Sequence, residues 1–130
     1  MALATDRNTP MKDGELISVP MAQTTIFAGS LVVANGSGYA APGSTATTLT
    51  ALGRAEEKKV NAGAAGTMSI LVRRRKSFKF ANSATDAVVQ ADLGKSCYIE
   101  DDQTVSHTST GKSIAGKVVG IDTDGIWVEI

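Results

Sequence analysis

TMSILVRRRKSFKF, residues 67–80, is the clearest strand-like run in the chain. In an extended chain successive side chains point to opposite faces. Ile70 and Val72 therefore share one face, and so do Phe78 and Phe80. Unbroken alternation also places Arg74 and Lys76 on that apolar face. Burying two unpaired cations is prohibitive. The run is expected to bend or bulge at its cations, or to overhang the core toward a partner.

Working upstream, the glycine-rich segment 61–66 suggests a hairpin between this run and residues 48–57, TLTALGRAEE. That segment is ambiguous. Its Thr and Leu residues favour a strand, its Ala-Glu-Glu end favours a helix, and the hairpin favours the strand. Residues 15–19 alternate and are closed by Pro20, while 24–27, 31–34 and 39–41 are short apolar or β-branched runs. Downstream, residues 84–93 are the one place for a helix, of two turns, capped by Ser83 or Thr85 and ended by Gly94. Residues 96–100, 113–121 and 126–130 read as strands, with a turn at 122–125. Strands and turns at intervals of roughly 8–12 residues mark an all-β sandwich or barrel. Residues 1–14 are polar, carry Pro10 and Gly14, and show no apolar period, which predicts an extended arm. The expected fold is all-β: a small, jelly-roll-like β-sandwich or barrel at 15–130, with the arm at 1–14 and at most one short helix.

Composition narrows the function. A chain of 130 residues is one domain with one core. Thirteen basic residues cancel thirteen acidic ones, which argues against a polyanion binder, so no nucleic-acid partner is expected. Aromatics at 5% and 13 glycines predict an aliphatic core and many turns. Cys97, the only cysteine, has no disulfide partner and reads as a buried structural thiol rather than a nucleophile. No signal-like stretch opens the chain and no run approaches the ~20 apolar residues of a membrane helix. The expectation is a soluble protein made in a reducing compartment, with no membrane partner. Asn35-Gly36-Ser37 reads as a turn.

Catalytic chemistry is mostly missing. His107, the only histidine, falls in the polar stretch 106–111, which reads as an exposed loop. Zinc needs several His or Cys ligands, and the chain has one of each. Two Gly-Lys-Ser triplets start at Gly94 and Gly111, but a phosphate loop needs a further glycine where Val89 and Ser106 stand. Asp122-x-Asp124-Gly125 starts like a calcium loop but lacks the later acids. Glu56-Glu57 and Asp101-Asp102 are adjacent, so on a strand they face apart. No catalytic residue, cofactor or metal is expected, and the protein is not read as an enzyme.

The cluster Arg73-Arg74-Arg75-Lys76 is the strongest charge feature. It reads as a solvated edge that discourages aggregation, as a contact for an acidic patch on a partner or sister subunit, or as a nucleic-acid contact with Phe78 and Phe80 interleaved, which the zero net charge counts against.

Several blocks carry a resemblance: TDRNTP (5–10), PGSTATTLTALGRAEE (42–57), FKFANSA (78–84), DLGKSCYIEDDQTV (92–105) and SIAGKVVGIDTDGIWVEI (113–130). In that order the chain resembles the small head decoration, or cement, proteins of tailed bacteriophages. The resemblance implies a β-rich homo-oligomer, trimer or dimer, made in the bacterial host cytoplasm and bound to the outer surface of the capsid. Its partner would be the phage major capsid protein, which it clamps and stabilises. Thr5, Asp6, Arg7, Asn8, Thr9 and Pro10, with Arg73, Arg74 and Arg75, are the expected partner-binding residues. The alternative is a receptor- or carbohydrate-binding β-sandwich module of a head or tail fibre.

Overall fold

A computed structural model describes residues 1–130. Residues 1–13 are exposed and form no regular element. Twelve strands follow in order. They are β1 (Leu16–Pro20), β2 (Thr25–Ile26), β3 (Leu31–Ala34), β4 (Ala40–Pro42), β5 (Thr50–Ala55), β6 (Lys59–Val60), β7 (Ser69–Arg73), β8 (Ser77–Asn82), β9 (Ser96–Ile99), β10 (Thr104–Ser106), β11 (Ile114–Asp122) and β12 (Gly125–Glu129). The expected all-β fold is realised as two bodies. An open sheet has the order β1-β7-β5-β3-β4, and a closed five-stranded barrel has the order β10-β8-β12-β11-β9. β2 and β6 form a separate two-stranded ribbon.

The break expected inside residues 67–80 is the passage between these bodies. β7 ends at Arg73 and β8 begins at Ser77. Between them Arg75 has φ 59, the only positive φ outside glycine. Before the break, Ile70 and Val72 face the sheet core, opposite Val19 and Ile17 of β1. After it, Phe78 and Phe80 face the barrel core, opposite Val128 and Ile126 of β12. The cations thus stay out of both interiors.

The single core expected from chain length is replaced by two clusters. The barrel cluster has 12 buried residues and the sheet cluster 7. β3 separates them: Leu31 and Val33 pack into the barrel cluster, while Val32 between them packs into the sheet cluster. A strand buried on both faces is continuously apolar, as Leu-Val-Val is. At ~1.5–3 kcal/mol per large buried apolar side chain, the barrel cluster supplies most of the hydrophobic stabilisation.

The ambiguous segment is strand β5, antiparallel to both β3 and β7. Gly53 within it has φ +152, and a Cβ there would lie 2.0 Å from the carbonyl oxygen of Arg73. Only glycine permits that approach of β5 to β7.

The two-turn helix expected at 84–93 does not form; one 3-10 turn, Gln90–Asp92, stands in its place. Side chains capture the amides a helix would use. Ser83 Oγ accepts from the N–H of Asp86 at 3.0 Å, and Asn82 clamps both the N–H and the carbonyl of Val88. Val88 is the only buried apolar residue of the segment, so no amphipathic stripe would hold a helix to the core. Gly94 does take the expected positive φ.

The stretch 106–111 is a correction in part. Ser106 is fully buried as the end of β10, and the exposed loop starts at His107. The turn at 35–37 forms, with Asn35 Oδ1 accepting from the N–H groups of Ser37 and Tyr39.

Candidate functional site

Of the two segments singled out for partner contact, the arginine cluster meets the end of the arm at Gly14 and Glu15, and residues 5–10 lie beyond that meeting point. Asp13 Oδ1 accepts from the N–H of Glu15 at 3.0 Å, a local turn that ends the arm. The Glu15 carbonyl then accepts from the N–H of Arg74 at 2.8 Å, and Glu15 Oε2 lies 3.2 Å from Lys76 Nζ. Arg75 donates its backbone N–H to the Ile130 carbonyl at 2.6 Å, and Ile130 donates to the Lys76 carbonyl at 3.2 Å. The Arg75 guanidinium covers Gly14: a Cβ there would lie 3.3 Å from its Cζ. The arm therefore leaves the body at the cationic turn, between β7, β8 and the end of β12. A non-glycine residue in the left-handed region costs on the order of 1–2 kcal/mol, which the flanking backbone bonds hold in place.

Thr5, Asp6, Arg7, Asn8, Thr9 and Pro10 are all exposed. Their only side-chain hydrogen bond is local, Arg7 Nη1 to Thr9 Oγ1 at 3.3 Å. The three arginines do not act alike. Arg73 is half-buried and bonds Glu56 Oε1 through Nε at 3.2 Å. Arg54 grips the same oxygen. The Arg73 guanidinium first, then that of Arg54, holds the Glu56 carboxyl below its ordinary range. Arg73 thus meets its acid within the chain. Arg74 and Arg75 make no ion pair and are the cations left free at the arm's root.

A second polar cluster joins the loops at one end of the barrel. Lys112, its side chain 14% exposed, reaches Asp86 at 3.3 Å and Ser106 Oγ at 2.9 Å. Asp86 also accepts from the N–H and hydroxyl of Thr108, both at 2.8 Å; with Lys112 these hold its carboxyl low. His107 Nδ1 lies 2.8 Å from Asp92 Oδ2, and that same oxygen accepts from the Val89 N–H. Bonding from Val89 first, then His107, holds the Asp92 carboxyl low. No hydroxyl or thiol completes this pair as a nucleophile: Cys97 lies in the barrel core, and burial pushes its thiol up to about 11. Sequence reading missed this cluster, which joins residues far apart in the chain, and the Arg54–Glu56–Arg73 triad, in which Arg54 and Glu56 are i, i+2 neighbours at the end of β5 but Arg73 comes from β7.

Trp127 projects outward from β12, 37% exposed. Its indole N–H donates to Asp122 at 2.9 Å, and Lys79 Nζ lies 5.7 Å from its ring centroid. No three His, Cys, Asp or Glu side chains come close enough to hold a metal ion. No helix is long and apolar enough to cross a membrane. The chain matches no family model, no curated protein and no solved structure.

Proposed function

We propose that this chain is a virion structural protein that binds the outer surface of a tailed-phage head and stabilises the capsid by clamping adjacent major capsid subunits. It is made in the bacterial host cytoplasm, acts as a homo-oligomer, and catalyses nothing. The observation that carries the reading is the arm: thirteen exposed residues, bonded only to one another until Glu15, leaving a root fixed by backbone hydrogen bonds. Such a segment gains order only on a partner's surface. The free Arg74 and Arg75 beside it suit an acidic rim on that partner. Many copies on a symmetric shell add by avidity, so each contact can be weak. The sequence blocks quoted above support the same reading by resemblance.

The test is cryo-EM of heads from the encoding phage, prepared with and without the chain. Density on the outer surface, bridging neighbouring capsid subunits only when the chain is present, is expected. Bare heads after addition of excess chain would overturn the proposal. The exposed Trp127, beside Lys79 and Asp122, favours a second reading, a carbohydrate-binding fibre module. Glycan-array binding abolished by Trp127→Ala, without head binding, would favour it.

A further inference from the structure

The largest concavity is a groove of about 520 Å³ between β5 and β11, with Leu49, Ala51, Ile114, Ala115 and Ile130 as its apolar lining. Both strands have an open side there. β5 pairs with β3 from Thr50 onward but with β7 only at Arg54 and Ala55. β11 pairs with β9 from Ile114 onward but with β12 only from Lys117. Ile114 is 56% exposed on this groove. The groove is half apolar and half polar, its other walls including Thr47, Thr50, Lys112 and Ser113. Beside unpaired strand backbone, it fits an extended segment that adds a strand.

We propose that the groove holds residues 1–5 of a second copy of this chain. Met1-Ala2-Leu3-Ala4-Thr5 is the arm's longest run without a charged side chain, its charge confined to the α-amino group, and Met1 and Leu3 are its large apolar residues. Leu3 is 73% exposed and has no partner in its own chain. In extended form Leu3 shares a face with Met1 and Thr5, and the small Ala2 and Ala4 take the other, so the segment can lie flat against Ala51 and Ile114. Thirteen extended residues reach roughly 40 Å, enough to cross to a neighbour. The arm's root is bonded to Arg74, and the next residue, Arg75, is bonded to Ile130, which also walls the groove, so arm and groove meet the same cationic turn on every copy. One copy's arm in the next copy's groove is a heterologous contact, and it closes into a ring when the rotation allows. Residues 6–10 stay free to meet a shell. The exchange needs no capsid, so it can fail while head binding stands, and the reverse.

The test mixes two full-length variants, Leu3→Cys carrying a heavy isotope and Ile114→Cys without it, and adds a short bis-maleimide. Both positions are exposed, and Cys97 is buried and protonated, so the unsubstituted chain is the blank. Mixed-isotope pairs joined between positions 3 and 114 are expected, with a solution mass that is a multiple of the single chain. Leu3→Asp should weaken self-association about tenfold to a hundredfold while circular dichroism stays unchanged. A single-chain mass at high micromolar concentration would overturn the proposal. A third variant with both Leu3→Cys and Ile114→Cys completes the test: cross-links within single chains there, with none between chains in the mixture, would place each arm in its own groove and overturn the proposal.

Discussion

The Arg54 guanidinium lies over the ring of Phe78, its Cζ 5.1 Å from the centroid, and so spans from the open sheet to the barrel. The same guanidinium holds Glu56, which holds Arg73. Arg54 thus ties the two bodies where β7 turns into β8. Arg54→Ala is expected to lower unfolding free energy by ~1 kcal/mol, since the ion pairs are partly exposed and the ring contact adds a similar small amount. Urea denaturation checks this; an unchanged midpoint would show that the contact contributes nothing to the junction.

The arginine cluster should divide by function. Arg73→Ser strips Glu56 of one partner and is expected to reduce stability without altering head binding at temperatures where the chain is folded. The pair Arg74→Ser with Arg75→Ser should leave thermal unfolding nearly unchanged and weaken head binding, most of all at low salt, where exposed charges act over ~10 Å or more. Binding titrations at two ionic strengths separate these outcomes. Equal head binding by the double variant at both would remove Arg74 and Arg75 from the interface.

Acid should destabilise the fold through Glu56, Asp86, Asp92 and Asp124. Each is held below its ordinary value in the folded chain: Glu56 chiefly by Arg73, Asp86 by Thr108, Asp92 by the Val89 amide and Asp124 by Lys79. A carboxyl depressed by folding adds stability that is fully present above its unfolded value, 4.5 for Glu and 3.8 for Asp, and that fades as pH falls through the folded value. The melting temperature is expected to hold near neutrality and fall below about pH 4.5. Glu56→Gln and Asp86→Asn should each flatten that fall; a flat profile in the unsubstituted chain would contradict the assignment.

Cys97 should be inert while the chain is folded. It is fully buried, and its thiol is raised to about 11, so almost no thiolate exists at pH 8. Alkylation by iodoacetamide is expected only in denaturant. Rapid labelling of the native protein at pH 8 would mean that the barrel opens locally.

Most strands were legible because twofold alternation and glycine punctuation are local signals. Ile70, Val72, Phe78 and Phe80 declared their faces, and the cations between them forced a break. What the break accomplishes was not legible. Alternation says that two apolar pairs share a parity, but not that they serve two cores divided by β3. The Thr104–Ser106 strand is too short to show a period, and its pairing with β8 and β9 exists only in three dimensions. The helix expected at 84–93 failed because capping signals at Ser83 and Gly94 are equally the signals of a looped segment. Of the candidate site, the arm and the arginines were visible in sequence. Their meeting at Gly14 and Arg75 was not, since 60 residues separate Arg75 from Glu15.

Binding of two chains to expanded heads lacking this protein, measured side by side by co-sedimentation, bears most directly on the arm as the gripping element. The chains are the full sequence and one starting at Gly14, with folding of both verified by circular dichroism. The full chain should saturate the heads, and the shortened chain should fold yet remain in the supernatant. Equal saturation by both chains, or none by either, would contradict the account.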